Sequence, residues 1–326
     1  MMPELFRQML SIDSTSGMER DFALWLEENL DAPRKEHFEV GDGTLNLMLS
    51  WGEPKLVFCT HLDTVPPYIP PTFDAGTVCG RGSCDAKGQI FSMYTACRRL
   101  ETDGRDGFAL LLLSGEETGS FGAKAFSGRG FKAPYLVIGE PTDNCMVSAS
   151  KGTKSFDLHF RGDSCHSGYP QYGRSAVDMF VDMVCALRSE DFGEDALLGR
   201  TTFNVGLLRS DNPQNVLSPS LDCRIYFRTT FTSDDKVCSL MDGLSGDGIE
   251  VVARGGDAPA KYFTLPGFRT KPVAFGSDAP HLDGFTHKMI CGPGSIMTAH
   301  RDNESVRLSD IDEAVENYVR IYENCN

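Results

Sequence analysis

Hydrophobic and polar positions along the chain change their period near Lys151 and again after Pro259, and these changes divide it. Near the start, Phe22, Trp25, Leu26 and Leu30 recur at helical spacing behind Ser16-Gly17-Met18-Glu19, which has the S-x-x-E form of a capping box. An amphipathic helix is therefore predicted to open the fold. Thr44 to Trp51 reads as a strand, and Leu56-Val57-Phe58-Cys59 is a short continuous apolar run of the kind buried on both faces of a sheet. Pro66, Pro67, Pro70 and Pro71 stiffen the next loop, and Gly80-Arg81-Gly82-Ser83-Cys84-Asp85 leads into a helical pattern from about Lys87 to Leu100. Apolar runs at Phe108 to Leu113 and Tyr135 to Ile138 extend the alternation of strand and helix. Together they predict an α/β layer around a mixed central sheet.

From about Lys151 the pattern shortens to period two. Phe156, Leu158 and Phe160 fall on one face and Asp157 and His159 on the other, as in an antiparallel sheet with one wet side. A helix is predicted from about Arg174 to Arg188, with Ala176, Val177, Phe180, Val184 and Leu187 on one stripe. Strands near Thr202 to Leu208 and Leu221 to Thr229, a helix near Asp234 to Leu244 and a strand Ile249 to Ala253 follow. The order β-α-β-β-α-β is that of a ferredoxin-like α+β unit. After Pro259 the first texture resumes with Lys288 to Cys291, and Ser309 is placed to cap a closing helix carrying Ile311, Val315, Tyr318 and Tyr322. The expected organisation is a discontinuous first domain, residues 1–150 and 259–326, with residues 151–258 inserted as a second domain.

Length and composition narrow the function without naming it. At 326 residues two domains fit, and 40% hydrophobic content supplies their cores. No apolar run reaches the roughly 18 residues of a membrane span. The start Met1-Met2-Pro3-Glu4 lacks a signal-peptide pattern, so a cytoplasmic address is expected. Eleven cysteines, many in apolar runs, read as reduced thiols. A net charge of −15 argues against a nucleic-acid partner, which needs a basic face.

The chemistry collects where strands end. His61 and Asp63 follow the Leu56 run, Glu116 and Glu117 follow Leu113, and Glu140 follows Ile138. In open α/β sheets functional groups gather at the carboxyl ends of strands, so these segments aim at one rim. Adjacent acids such as Glu116-Glu117 repel at the mouth of a buried strand unless a cation joins them. With Asp85 and His300 added, His61, Asp85, Glu117, Glu140 and His300 make two histidines and three carboxylates, enough for two zinc ions if one carboxylate bridges, and Asp63, Glu116 and His166 are nearby candidates. Asp63, on the same side of an extended segment as His61, is placed to accept its imidazole N–H. Singly, each group also fits a plain role, His61 with Asp63 as a polar pair and Glu116-Glu117 as a solvated turn.

Taken jointly, Thr60-His61-Leu62-Asp63-Thr64-Val65-Pro66, Gly80-Arg81-Gly82 with Asp85-Ala86-Lys87-Gly88, Gly115-Glu116-Glu117-Thr118-Gly119, Gly139-Glu140-Pro141-Thr142 and Cys165-His166-Ser167-Gly168 resemble the di-zinc aminoacylase and carboxypeptidase family along nearly the whole chain. Ile138 to Thr142, Gly292 to Ile296 and Ala299-His300 look most like its acetylornithine deacetylase and succinyl-diaminopimelate desuccinylase branch. The resemblance implies a zinc-hydrolase three-layer domain with a ferredoxin-like lid, and two Zn2+ ions for which Co2+ or Mn2+ can substitute. It assigns His61 and Glu140 to one ion, Glu117 and His300 to the other, and Asp85 to the bridge. Glu116 becomes the general base, with Asp63 orienting His61. His166 would stabilise the oxyanion, from its own or a partner subunit, and a homodimer through the lid is implied. Asn215 and Arg228 match positions that contact substrate, Arg228 as a fork for a carboxylate, and Ser277 and Asp278 fall in a loop that lines the pocket. The chain departs from the usual pattern at Arg209 to Pro213 and at Ser218. The expected activity is cleavage of the N-acyl amide of a small amino-acid derivative. A dipeptidase or exopeptidase is the alternative, and a non-catalytic binding protein on the same fold is the rival from another class.

Overall fold

The computed structural model describes residues 4–41, 43–74 and 76–325. Met1 to Pro3, on which the absence of a leader was read, lie outside them. The chain forms two compact units, one made of Met1–Ser148, Tyr262–Lys271 and Ser277–Asn326, the other of Ala149–Lys261 and Pro272–Gly276.

The first unit is built on a six-stranded mixed sheet in the order Arg34–Gly41, Thr44–Trp51, Phe108–Leu113, Leu56–His61, Ala133–Ile138, Phe285–Ile290. Its first three strands are antiparallel neighbours and the remaining pairings are parallel. Both faces are covered, which is why Leu56–His61 and Phe108–Leu113 are buried at every position. On one face Leu47, Leu49, Phe58, Leu110 and Leu112 meet apolar residues of helices Glu4–Leu10, Arg20–Asn29, Lys87–Thr102 and Leu308–Cys325. Tyr318 packs edge-on to Phe58 at 5.6 Å and Tyr322 edge-on to Phe108 at 5.5 Å, so the closing helix is registered on the central strands. The short helix Phe121–Ser127 packs on the two antiparallel edge strands, with Phe126 against Phe38. Among the described residues no helix is long and apolar enough to cross a membrane.

The second unit carries a four-stranded antiparallel sheet in the order Thr202–Arg209, Ser220–Thr229, Gly152–Arg161, Ile249–Gly255, with helices Ala176–Ser189 and Asp234–Gly243. In chain order this is the predicted β-α-β-β-α-β unit. Phe156, Leu158, Phe160, Leu221, Ile225 and Phe227 bury one face under Met179, Met183, Leu187, Val237 and Met241. The other face is wet and pairs its charges across strands, Arg224 with Asp157 at 2.6 Å and His159 with Asp222 at 2.7 Å. Ser175 caps the first helix by accepting the Asp178 N–H at 3.2 Å.

Some local expectations fail. Glu19 is the residue before the first predicted helix, and its side chain makes no cap. Ser16 instead donates to Asp63 Oδ2 at 2.8 Å, and Glu19 accepts the Gly17 N–H at 2.5 Å while facing Asp63. A helix at Glu4–Leu10 precedes it. Ser309 does not cap the closing helix, because strand Ser305–Arg307 runs straight into Leu308 and leaves Ser309 inside the first turn. Pro272–Gly276 returns to the second unit, which the pattern after Pro259 did not signal.

Candidate metal centre

The parallel register delivers the site. His61 stands opposite Leu113 and Cys59 opposite Ile138, so the three strands end near one level, with His61 closing one and Glu116-Glu117 and Glu140 just beyond the other two. The turn after Leu113 needs Gly115, at φ +69°, since a Cβ there would fall 1.8 Å from the Phe121 ring. Asn46 holds the turn by accepting the Ser114 N–H and donating to Gly122 O, both at 2.9 Å.

His61 and Asp85 are buried in contact, Nε2 to Oδ1 at 2.9 Å. The other Asp85 oxygen, Oδ2, lies 3.3 Å from His300 Nε2, which in turn is 2.8 Å from Glu117 Oε1. One carboxylate thus offers a separate oxygen to each histidine, as a bridging ligand must. His61, Asp85 and Glu117 each present a donor atom within 4.8 Å of the others. The His61 tautomer is set by a different atom than the sequence suggested. Its Nδ1 donates to the Asp63 carbonyl oxygen at 2.8 Å, while the Asp63 carboxylate is 3.5 Å away. That carboxylate accepts the Glu116 N–H at 3.0 Å and the Glu117 N–H at 3.3 Å, and so fixes the acidic turn. Either way Nε2 is left facing the cluster.

The electrostatics describe a surplus of negative charge. Burial pushes Glu116 well above its usual range, with Asp278, Glu117 and Asp85 adding to the rise and His61 opposing it. Glu140 is raised well above its usual range for the same first reason, then by Asp85 and Glu116. Burial works to lower His61, but Asp63 and Asp85 outweigh it and the imidazole is raised. His300 is raised to about 10 by Asp85 and then Glu117, against burial. Burial opposes ionisation of Asp85, yet His300 and His61 hold it well below the carboxylate range. Buried acids crowding two imidazoles suit divalent cations, because only added positive charge lets all the carboxylates ionise together. The oxygen and nitrogen donor set fits zinc or another borderline divalent ion.

The structure gathers His61, Asp63, Asp85, Glu116, Glu117, Glu140 and His300 here. Asp278 joins them: it is buried, with Oδ1 unpartnered, and burial raises it to about 6 against a bond from Ser120. Ser277 is buried beside it, its Oγ accepting the Ala279 N–H at 3.3 Å. His166, Asn215 and Arg228 belong to the second unit. There Ser167 N–H donates to Asn215 O and Leu217 N–H to Cys165 O, both at 3.0 Å, which makes His166 and Asn215 neighbours on one ladder. His166 Nδ1 accepts the Gly168 N–H at 3.0 Å, so its free Nε2 carries the hydrogen of the neutral ring. Arg228 lies 4.9 Å over the Tyr226 ring. Ser218, an odd residue in the sequence, is buried and bonded to Ser210 Oγ at 2.7 Å, tying the unusual Arg209 to Pro213 loop to its base.

Cys84 is buried beside Asp85 and its thiol is pushed up by burial, consistent with a small packing residue. Sequence reasoning missed Ser16, Glu19 and Glu304 as partners of the site. Ser16 and Glu19 were visible as a motif, but one that has a helix-capping meaning as well.

Residues 57–324 match peptidase family M20/M25/M40. The chain is 29% identical to a peptidase M20 domain-containing protein of Schizosaccharomyces pombe, over 97% of this chain and 83% of that protein. It is 30% identical to a probable carboxypeptidase of Emericella nidulans, over 97% and 88%. Its fold is similar to that of a tripeptidase from Staphylococcus aureus, with TM-score 0.82 at 18% identity over 99% of this chain and 97% of that one. A dinuclear metal binding peptidase of the M20 family from Bacillus subtilis has TM-score 0.67 at 12% identity, over 98% and 97%.

Proposed function

The chain belongs to peptidase family M20/M25/M40, and from that premise we propose that it is a two-metal exopeptidase acting on short peptides with a free carboxylate. The observation that carries the reading is Asp85, which presents one oxygen to His61 and the other to His300. His61 and Glu140 would hold one ion, Glu117 and His300 the other, with Asp85 spanning both. Two such ions would acidify a water and polarise the scissile carbonyl. Glu116, carried by the turn that Asp63 fixes, would take a proton from the water that attacks the carbonyl carbon and return it to the amine as the C–N bond breaks. On the second unit, His166 Nε2–H is assigned to the developing oxyanion, and Asn215 and Arg228 to the substrate's polar groups.

Similarity to a probable carboxypeptidase and a tripeptidase supports peptide over N-acyl substrates. The stretches that suggested the deacetylase branch bond to each other: Thr142 Oγ1 accepts the Gly292 N–H at 2.9 Å, and Asn144 N–H donates to Gly292 O at 2.9 Å. These bonds latch the rim. We also retain a cytoplasmic address, which fractionation tests, and a homodimer through the second unit, which light scattering tests.

The deciding experiment is turnover of dipeptides, tripeptides, their C-terminal amides and N-acetylornithine, with metal content measured on the same sample. Free-acid peptides should be cleaved, with chelation abolishing turnover and amidation lowering kcat/KM. Preference for N-acetylornithine would return the chain to the deacylases, and bound metal without any amide cleavage would make it a binding protein.

A further inference from the structure

Behind Asp85 stands an ion pair that the mechanism does not use. Glu304 has no exposed surface and Arg81 is 2% exposed. Arg81 Nη1 donates to Glu304 Oε2 at 2.6 Å, and the same guanidinium reaches Arg301 O at 3.3 Å and Pro67 O at 3.2 Å. The other carboxylate oxygen, Oε1, accepts two backbone N–H groups, Cys84 at 3.1 Å and Asp85 at 3.0 Å. Glu304 also takes the Gly80 N–H on its own carbonyl at 2.9 Å. A buried charge with these contacts is costly to keep unless all its partners are present, and here each partner belongs to a ligand-bearing loop. The residues tied by Oε1 end in Asp85, while Glu304 sits on the segment that begins with His300, whose backbone is held at φ +63°.

We propose that Glu304, with Arg81 as its counter-ion, is a positioning residue that sets the spacing of Asp85 and His300 and thereby the affinity for the ion those two share. The physical reason is lever length. Oε1 fixes the peptide plane from which the Asp85 side chain springs, and Oε2, through Arg81, fixes the start of the His300 segment at Arg301. A carboxylate that must reach two ions tolerates little rotation of that plane. Outer partners of ligands typically contribute about 10–100-fold to metal affinity. The inference rests on reading Asp85 and His300 as metal ligands.

The test measures Zn2+ affinity by competition with a chromophoric chelator, and Co2+ d–d absorption, on wild type, Glu304→Gln, Arg81→Lys and the double variant Arg81→Met/Glu304→Leu. Glu304→Gln should bind one of two ions about 10–100-fold more weakly, with an altered cobalt spectrum; its metal-free melting temperature should fall too, because Arg81 loses its buried counter-charge, so affinity is read at a temperature where circular dichroism shows the variant folded. Arg81→Lys, which keeps the charge but loses the fork, should fall between. The double variant removes the buried charges together and so guards against a folding failure, since apolar replacement of a buried pair is often tolerated. It should fold and still bind weakly. Wild-type affinity and spectrum in folded Glu304→Gln, or in the double variant, would overturn the proposal. Failure of the underlying reading looks different: wild-type protein would then bind no second ion, or Asp85→Asn would bind as the wild type does.

Discussion

Replacing Asp63 by asparagine probes the centre of the site without touching an assigned ligand. The carboxylate is wholly buried and accepts the Ser16 hydroxyl at 2.8 Å, the Glu116 N–H at 3.0 Å and the Glu117 N–H at 3.3 Å. Asparagine keeps one acceptor oxygen. If that oxygen stays on Glu116, the new amide nitrogen faces Ser16, which can turn to accept, and the Glu117 N–H, which cannot. Bonds to a charged group contribute about 1.5–3 kcal/mol against about 0.5–1.5 for neutral ones, and a stranded buried donor costs about 1–3. Two weakened bonds and one stranded donor amount to roughly 3–5 kcal/mol lost from the first unit. Because the acidic turn moves, kcat/KM should fall as well, and zinc binding through Glu117 should weaken. Burial opposes ionisation of Asp63, but His61, Ser16 and the Glu116 amide hold it below its ordinary value. The stability it contributes is therefore full above the unfolded carboxyl's pKa of about 3.9 and drains as pH falls through the lower native value. Urea unfolding at pH 7 and pH 3.5, together with peptide turnover, reads both effects. Asp63→Asn within about 1 kcal/mol of wild type and equally active would refute the reasoning.

Glu116→Gln should lower kcat by about 10²–10⁴ while retaining metal, whereas Glu117→Gln should release it; equal zinc loss in both would undo the division of labour. In metal-free protein His300, raised to about 10 by Asp85 and then Glu117, should stay protonated through neutrality. Its ion pairs contribute fully below the unfolded imidazole pKa of about 6.5 and are lost as pH rises through about 10, so an NMR titration of that ring near 6.5 would contradict the geometry. Lys87 is buried, donates to Met9 O at 3.0 Å and to Ile12 O, and burial lowers it to about 7 against Asp13 and Glu304. The unfolded chain then binds the extra proton between about pH 7 and 10.4, so the Lys87 contribution rises across that window, opposite in sign to that of His300, and is read as the difference between wild type and Lys87→Met. Melting temperatures of both proteins at pH 6.5 and 9.5 measure it, and the same pH slope in the two would overturn the assignment.

What was legible in the sequence was what depends on one strand and its end. Leu56 to Cys59 and Phe108 to Leu113 are apolar throughout because both faces of the sheet are covered, and the candidate ligands stand at or just past their ends. The second unit was legible because Phe156 to Phe160 alternates against a wet face. Partners that depend on a third element were not. Ser16 to Glu19 reads as a capping box by itself, and only the approach of Asp63 turns its hydroxyl away from the helix. The bond between Gly292 N–H and Thr142 Oγ1 spans 150 positions, and neither motif alone announces it. The Asp85 backbone bond to Glu304 spans 219 positions, with no local pattern to announce it.

Asp63 and Glu304 share a design that explains why the ligands can be crowded at all. Each is a buried acid placed behind a ligand loop, and each accepts two consecutive backbone N–H groups, Glu116 and Glu117 for one, Cys84 and Asp85 for the other. Backbone donors that would otherwise be stranded in the interior are thereby satisfied. The loops are ordered by these bonds, not by the repelling side chains they carry, so the ligands are held in place before any cation arrives. The two acids differ in their counter-charge. Glu304 has Arg81, whereas Asp63 has the His61 imidazole at 3.5 Å, with the neutral Ser16 hydroxyl as a further donor. A cation on His61 Nε2 would polarise the ring and strengthen its Nδ1–H bond to the Asp63 carbonyl oxygen, so the residue whose carboxylate orders the Glu116 turn would be anchored by its backbone on the metal side.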